Sequence, residues 1–257
     1  MQAFLISNGG VTGLPDTVML PETRGGTIDI PYYTVLIKHP EGNVLFDCGG
    51  NDDPSRVHER CMKGLHLTEE EKFPACLEAL GLTPDDIDYV VVSHLHGDHM
   101  GYVDLFKSSK IYASAKSFEG SCKDVGANEG LYVNDFQAVL DADLHWQLIP
   151  ERVEKVELLD GLTIYNLGSG HHYGMIGLLV ELPEYGNIFL ASDACNYLES
   201  LADPPLLPPL RSHDYEGSVA TLGKIKKIAA DNNAEVWPGH DLVWFESMKK
   251  STEGYFS

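Results

Sequence analysis

The chain has 257 residues, of which 43% are hydrophobic and 22% charged, so its composition is typical of a globular protein. Acidic residues outnumber basic residues by 39 to 18, which gives a formal net charge of −21. A chain this acidic repels phosphate groups, so the charge argues against a nucleic acid or an anionic membrane as a partner. Since no linker or composition shift marks a boundary, we expect one domain that spans residues 1–257.

The cysteine and hydropathy patterns indicate in which cellular compartment the protein is found. The five cysteines are odd in number and form no Cys-x-x-Cys pair, which argues against a disulfide framework. The sequence begins without a basic region, and no apolar stretch approaches the ~18 residues that cross a bilayer. The sequence therefore predicts a cytoplasmic protein. It does not fix the oligomeric state, and a homodimer is compatible with it.

The first third of the chain predicts strands followed by helical segments. Residues 33–37 and 43–46 are apolar and rich in β-branched or aromatic side chains, and they flank the turn-forming residues 39–42, so they predict a hairpin. Residues 67–82 have helical spacing, which Pro74 interrupts. Residues 87–93 form a continuous apolar run, which predicts a strand that is buried on both faces.

The rest of the chain alternates between strands and helices. Residues 114–150 are mixed and predict partly helical structure. Four strands are predicted next, at 153–159, 162–166, 176–182 and 188–191. The proline-rich segment 203–209 must be extended or irregular, and residues 215–232 predict a long helix. Residues 235–237 predict a short strand and 242–249 a last helix. Strand-rich blocks with interspersed helices predict an α/β layered sandwich with the helices outside.

The most informative pattern is the segment 94–99, which reads HLHGDH and directly follows the predicted buried strand. Residues two apart in an extended segment project to the same side, so His94 and His96 can reach one metal together. The intervening glycine allows a sharp turn that would carry Asp98 and His99 towards a second metal. Because buried imidazoles and carboxylates need partners, this segment predicts a metal site rather than a polar loop.

His-x-His-x-Asp-His after a buried strand resembles the signature of the metallo-β-lactamase superfamily. Three later segments match the family's remaining motifs in order: Ser169-Gly170-His171, Ile188 to Asp193, and Pro238-Gly239-His240-Asp241. In the first of these, His171 is the expected ligand and the adjacent His172 is the alternative. The resemblance extends over nearly the whole chain, and it implies a four-layer αβ/βα sandwich.

The resemblance also implies two divalent metal ions. Their ligands would be His94, His96 and His171 for the first ion, Asp98, His99 and His240 for the second, and Asp193 as a bridge between both. Mixed nitrogen and oxygen ligands favour zinc and leave iron, cobalt and manganese open. Metal-bound water has a pKa of roughly 7, so a hydroxide between the ions would be the nucleophile. Asp47 would either orient the ligands or cap a turn.

Within the superfamily, the pattern is most similar to N-acyl homoserine lactonases, which implies a neutral small-molecule lactone as the substrate and quorum quenching as the outcome. That family often has an Asp-Ala-x-Tyr segment, but here the tyrosine is displaced by one in Asp193-Ala194-Cys195-Asn196-Tyr197. The resemblance implies that Asn196 or Tyr197 donates to the developing oxyanion, with packing as the alternative role of Tyr197. Asp98 would help to protonate the leaving alkoxide.

Two alternatives stay open at this point. One is another ester hydrolase of the same fold, such as a thioesterase, although thioesterases of the glyoxalase II type resemble a longer chain with a cluster of basic residues. The other is a binding protein that has lost turnover, against which the intact set of seven ligands argues. Six apolar residues are candidates for an acyl pocket, although ordinary packing is the favoured interpretation of each one taken alone: Met19, Leu20, Met175, Leu206, Leu207 and Leu210.

Overall fold

The computed structural model describes residues 1–16, 25–207 and 213–257. Within these ranges, seven strands form one sheet: β1 (Gln2–Pro15), β2 (Thr27–His39), β3 (Gly42–Phe46), β4 (Leu65–His66), β5 (Tyr89–Val91), β6 (Lys110–Ser114) and β7 (His145–Ile149). Their spatial order is β4-β1-β2-β3-β5-β6-β7. The pairs from β4 to β3 are antiparallel, and β3, β5, β6 and β7 run parallel.

The second sheet has five strands in the described part of the chain: β8 (Lys155–Leu159), β9 (Leu162–Gly168), β10 (Met175–Leu182), β11 (Gly186–Ser192) and β12 (Ala234–Pro238). Their spatial order is β12-β11-β10-β9-β8. Only the β11–β12 pair among them is parallel. Both sheets are therefore mixed, as expected of a chain in which strands and helices alternate.

Helices cover the outer faces of the sheets. The helices are α1 (Glu59–Met62), α2 (Phe73–Ala79), α3 (Gly97–Met100), α4 (Ala115–Ala127), α5 (Val133–Leu140), α6 (Tyr215–Asp231) and α7 (Leu242–Ser247). One apolar core lies between the two sheets, where Leu5 of β1 and Leu178 of β10 belong to the same cluster. A second core joins the first sheet to α2 and α5, and a third joins the second sheet to α6. The order helix, sheet, sheet, helix is the predicted four-layer sandwich.

The predicted hairpin is confirmed, because β2 and β3 are antiparallel and His39 pairs with Gly42. The predicted helix 67–82 is shorter in the structure. It begins only at Phe73, since Pro74 has no amide hydrogen and fits only the first turn of a helix. No bounds were predicted for the long strand β1, which pairs with β2 from Gln2 to Pro15.

In the proline-rich segment 203–209, residues 203–207 contain neither helix nor strand, as predicted, and residues 208 and 209 lie outside the described residues. In the part of the chain that the structure describes, no helix combines the length and the apolar character that crossing a bilayer requires.

Candidate metal centre

The HLHGDH segment passes from an extended conformation into a helix. His94 follows β5 by three residues and is fully buried. His96 still has an extended backbone, with φ −88° and ψ 153°, and α3 begins at the next residue, Gly97. Asp98 and His99 lie in the first turn of α3. The predicted change of direction at the glycine is confirmed. His96 therefore projects from extended backbone, whereas Asp98 and His99 project from a helical turn.

The other predicted ligands come from the second sheet. His171 lies in the loop between β9 and β10, Asp193 directly follows β11, and His240 follows β12 by two residues. All three are buried. Because β11 and β12 are parallel, their carboxyl ends lie at the same edge of the sheet, which brings Asp193 and His240 together.

The structure gathers all seven predicted ligands into one cluster. Their ligand atoms form three overlapping groups in which the atoms lie within 4.8 Å of one another: His94, His96 and His171; His94, His99 and Asp193; and Asp98, His99 and His240. Asp193 connects the groups, since its Oδ2 lies 3.1 Å from Nε2 of His171 and its Oδ1 lies 3.1 Å from Nε2 of His240. Each carboxylate oxygen thus faces a different group, which is the geometry that a bridging ligand needs.

The cluster fits two divalent cations by the state of its imidazole nitrogens. Nε2 of His94 and of His99 is buried, and neither has a hydrogen-bond partner among the described residues. Nδ1 of His99 lies 2.8 Å from the Asp47 carboxylate, and Nδ1 of His240 lies 3.0 Å from the carbonyl oxygen of Pro31. Both of these oxygens can only accept, so each Nδ1 carries a hydrogen, and the Nε2 lone pair of the neutral ring is left for a metal.

Asp47 contacts the ligand shell directly. Its Oδ1 accepts a hydrogen bond of 2.7 Å from the backbone N–H of Ser93, and its Oδ2 accepts from the Ser93 and Ser192 hydroxyl groups. The same Oδ2 lies 2.8 Å from Nδ1 of His99. Of the two roles that the sequence left open for Asp47, the contacts support the orientation of a ligand.

The acidic and imidazole groups of the cluster shift one another's protonation in the absence of a cation. Burial acts to raise the pKa of Asp193, but the neighbouring His240, His99 and His171 hold it well below its usual value. Burial acts to lower the pKa of His240, but Asp193 and Asp98 raise it from 6.5 to about 9. Burial and the neighbouring histidines lower the pKa of His94 and of His96. The carboxylates are therefore charged at neutral pH, and cations that enter the cluster replace protons.

The structure distinguishes His171 from His172. His171 belongs to the cluster, with its Nε2 3.0 Å from Nδ1 of His96. His172 is not part of the ligand groups, and its Nδ1 lies 2.9 Å from the hydroxyl oxygen of Ser117 on α4. Burial lowers the pKa of His172 to about 3, so this ring is neutral. The geometry agrees with the choice of His171 from the sequence.

Asn196 and Tyr197 lie beside the cluster, but in the described part of the chain neither lines the cavity above it. In the orientation that satisfies its hydrogen bonds, the Asn196 amide nitrogen donates to both carboxylate oxygens of Asp193, at 3.2 Å. The backbone carbonyl oxygen of Asn196 also accepts a hydrogen bond from the backbone N–H of His240. Tyr197 packs against Val11 and Ile30. These contacts favour a positioning role for Asn196 and the packing role for Tyr197.

A cavity of about 310 Å³ opens above the cluster. Its floor contains His96, Asp98, Asp193 and His240, so both halves of the cluster are accessible from it. Eight of its wall residues are aliphatic or aromatic: Val11, Leu14, Ile30, Tyr32, Val57, Leu65, Leu131 and Tyr132. The arrangement is that of a small-molecule site, in which apolar walls surround a few convergent polar groups.

Of the candidate acyl-pocket residues, Met175, Leu206 and Leu207 do not line this cavity. Met175 is fully buried in the core between the second sheet and α6, so of the two roles weighed for it the packing role is the one observed. Leu207 packs against the same core, and Leu206 is an exposed side chain. Met19, Leu20 and Leu210 lie outside the described residues. The observed walls come from β1, β2, the segment around α1 and the residues just before α5. The alternation of residues along the strands does not indicate a pocket.

The sequence also missed basic residues at the cavity. Arg60 and Lys63 line it and are exposed, although no basic cluster is evident along the chain. Arg56 lies behind the wall and donates to the carboxylates of Asp104 and Asp135 at 3.1 and 3.0 Å. The basic residues of segment 51–66 do not repeat at helical intervals, because this segment is mostly irregular.

Comparisons with known proteins agree with this geometry. The model of the metallo-beta-lactamase superfamily matches residues 28–240. The N-acyl homoserine lactonase AiiB of Agrobacterium fabrum is 33% identical over 262 residues, which cover 98% of this chain and 93% of that protein. The N-acyl homoserine lactonase of Bacillus cereus is 26% identical over 230 residues, which cover 86% of this chain and 85% of that protein.

Solved structures show the same fold. One is an N-acyl homoserine lactone hydrolase with the product N-hexanoyl-L-homoserine bound at its catalytic metal centre, at a TM-score of 0.83 and 22% identity, covering 99% of this chain and 98% of that chain. Another is AidC, described as a dizinc quorum-quenching lactonase, at a TM-score of 0.67 and 16% identity, covering 93% of this chain and 87% of that chain.

Proposed function

The chain belongs to the metallo-beta-lactamase superfamily, and within it we propose that this protein is a metal-dependent hydrolase that opens the ring of N-acyl homoserine lactones, and so acts in quorum quenching. The observation that carries the proposal is a complete cluster of seven ligands at the floor of a cavity with mostly apolar walls. Full-length similarity to curated N-acyl homoserine lactonases supports the substrate class.

We assign the cluster to two divalent cations. His94, His96 and His171 would hold one and Asp98, His99 and His240 the other, with Asp193 between them. The nitrogen and oxygen donors suit zinc, and a relative in fold is described as a dizinc enzyme. Two such cations, when bound, lower the pKa of water to roughly 7 and polarise a carbonyl group, which supplies both a nucleophile and an electrophile at neutral pH.

The cavity binds and orients the substrate. Its apolar walls accept an acyl chain and exclude water, while the reacting ring lies over Asp98, Asp193 and His240. A neutral lactone is not repelled by a chain with a net charge of −21. Ring opening then forms a bond between the attacking oxygen and the carbonyl carbon, and it breaks the bond between that carbon and the ring oxygen.

Asp98 is placed to handle the proton of this reaction. It lines the cavity, and its contacts with His99 and His240 both use Oδ2. Its Oδ1 is thus available to accept a proton from the attacking water and to deliver it to the leaving alkoxide. In the cation-free protein the neighbouring histidines hold the pKa of Asp98 well below its usual value against the effect of burial, so this group is a carboxylate at neutral pH.

Asn196 and Tyr197 have different parts in this proposal. Asn196 would hold the bridging carboxylate of Asp193 in place through its side-chain amide. Tyr197 would shape the cavity wall from behind, through its packing against Val11 and Ile30. Neither is assigned direct contact with the oxyanion.

Proton release on addition of an N-acyl homoserine lactone to the metal-loaded protein tests the proposal. Ring opening yields a carboxylic acid, so the protein should acidify a weak buffer. His96→Ala should abolish the release, and His145→Ala, which changes an exposed histidine outside the cluster, should not. A wild-type protein that holds two metals and releases no proton from short-chain or long-chain substrates would contradict the lactonase assignment. Thioesters would then be the next class to assay.

A further inference from the structure

A second cavity, of about 200 Å³, lies on the other side of the cluster. It shares three wall residues with the first cavity: His96, Leu131 and Tyr132. Its remaining lining is more polar, and it includes Asp124, His172 and His213. The cluster is thus flanked by an apolar cavity and a polar one, and Tyr132 stands between them.

The position of Tyr132 is set by two contacts near the cluster. Its ring stacks on the His96 ring, with centroids 4.5 Å apart and planes inclined by 30°. Its Cδ1 also lies 3.1 Å from the point that a Cβ atom at Gly97 would occupy. The tyrosine ring therefore fills space that a side chain at position 97 would take, and a substrate group close to the reacting carbonyl meets this ring.

We propose that Tyr132 is a specificity-determining residue that separates the two cavities and limits the bulk that a substrate carries next to its reacting end. The inference rests on the proposed lactonase function. With the ring in place, an unbranched acyl chain leaves the reaction centre along the apolar cavity. A branched chain of equal size collides with the ring, because its extra carbon atoms lie beside the amide rather than at the far end.

Removal of the ring joins the cavities. The polar cavity also has apolar wall residues, Leu95, Val133 and Phe136, so it can accept a short alkyl branch. The far ends of both cavities stay unchanged, since they are formed by other residues. The gain in tolerance should therefore apply to branching near the amide and not to greater chain length.

The test compares N-hexanoyl with N-(2-ethylbutanoyl) homoserine lactone, whose acyl groups have the same number of carbon atoms. We expect the wild-type protein to prefer the straight substrate in kcat/KM, and Tyr132→Ala to reduce that preference by about tenfold, the lower end of the discrimination that a hydrophobic pocket shows for one methylene group. Tyr132→Phe keeps the ring and should retain the wild-type preference. Calorimetric binding of the two ring-opened products to the metal-loaded proteins should show the same ranking.

Tyr173→Ala is the matched control. Tyr173 lines the polar cavity from the far side, so its removal enlarges that cavity but leaves the partition standing, and the preference should not change. If Tyr132→Ala loses its metal, Tyr132→Leu provides the same test with a smaller cavity change. An unchanged preference in a Tyr132 variant that holds its metal would overturn the inference. Failure of the wild-type protein to hydrolyse either lactone would instead overturn the proposed function.

Discussion

The imidazole Nδ1 of His240 lies 3.0 Å from the carbonyl oxygen of Pro31, a residue 209 positions earlier in the chain. Pro31 belongs to β2 of the first sheet, whereas His240 follows β12 of the second. The contact fixes the ring by its far nitrogen, so Nε2 faces Asp193 and Asp98. Both sheets therefore position the metal centre, so a structural change in either sheet can alter its geometry.

Asp47→Asn should weaken metal binding about 10- to 100-fold, because the carboxylate that orients His99 is lost. Asn tolerates the left-handed backbone of this position, where φ is 61°, so the fold should persist. Competition with a chromogenic chelator measures the change. Asp143→Asn is the control, since Asp143 also has a positive φ, of 50°, but is exposed. Equal affinity in the two variants would show that Asp47 does not orient a ligand.

Metal binding should release protons. In the cation-free protein Asp193 and Asp98 raise the pKa of His240 to about 9, against the effect of burial, so this imidazole is protonated at neutral pH. A cation must displace that proton, and the release should decline as the pH rises through 9. Metal titration in a weakly buffered solution with an indicator dye detects it. His240→Gln should release fewer protons than the wild-type protein.

The same shift predicts how the stability of the cation-free protein depends on pH. A histidine whose folded pKa is raised from 6.5 to about 9 adds stability that is fully present below pH 6.5 and is lost as the pH rises through about 9. The melting temperature of the chelator-treated protein should therefore fall between these pH values. The metal-loaded protein should not share this decline. A flat profile in both forms would contradict the assigned protonation.

Arg56→Met should reduce the free energy of unfolding by about 3 kcal/mol, because the buried carboxylate of Asp135 loses its cation. The side chain of Asp135 is only 2% exposed, and that of Arg56 is 14% exposed. Urea denaturation of the metal-loaded protein measures the change. Arg60→Met, four residues along the chain at an exposed position, should stay within about 0.5 kcal/mol of the wild type. If Arg56→Met lost as little unfolding free energy as Arg60→Met, the ion pair between Arg56 and Asp135 would contribute no more than an ordinary surface charge pair.

The sequence predicted the ligands better than the cavity, and for a physical reason. Each ligand lies in the segment that follows a strand, where a short motif such as HLHGDH or Pro238-Gly239-His240 carries both the donor and the turn that orients it. Such information is local. The walls depend on which strands become neighbours, so Val11 and Leu65, distant in sequence, meet only because β1 pairs with β4. Met175 could not be assigned to the pocket or to the core from the sequence alone, because its burial leaves no local trace.

The same distinction applies to Tyr132 and Asp47. The stacking of Tyr132 on His96 joins a residue at the start of α5 to the loop after β5, and no spacing in the chain encodes it. Asp47 was identified as a candidate through the family resemblance, because Asp47-Cys48-Gly49 stands where the family commonly has Asp-Thr-Gly. Its partner, His99, could be named only when the parallel pairing of β3 and β5 had placed the two strand ends side by side.

Gly239→Ala should abolish tight metal binding without unfolding the chain. A Cβ atom at position 239 would lie 2.5 Å from Oδ1 of Asp193, 2.8 Å from the carbonyl carbon of Ser192 and 2.9 Å from the backbone nitrogen of Asp193. Two of these atoms are backbone and cannot move aside, so the strain must displace the bridging carboxylate. Metal content after dialysis and lactonase activity should fall together.

Gly223→Ala provides the matched control for this variant. Gly223 lies inside α6, and among the described residues nothing comes within 4 Å of a Cβ atom built there. Alanine in a helix interior is favoured over glycine by about 0.5–1 kcal/mol, so this variant should unfold at a higher temperature and keep both metals. A Gly239→Ala protein that retains both metals would mean that the cluster tolerates a shift of Asp193, and that the bridge is less tightly positioned than these distances indicate.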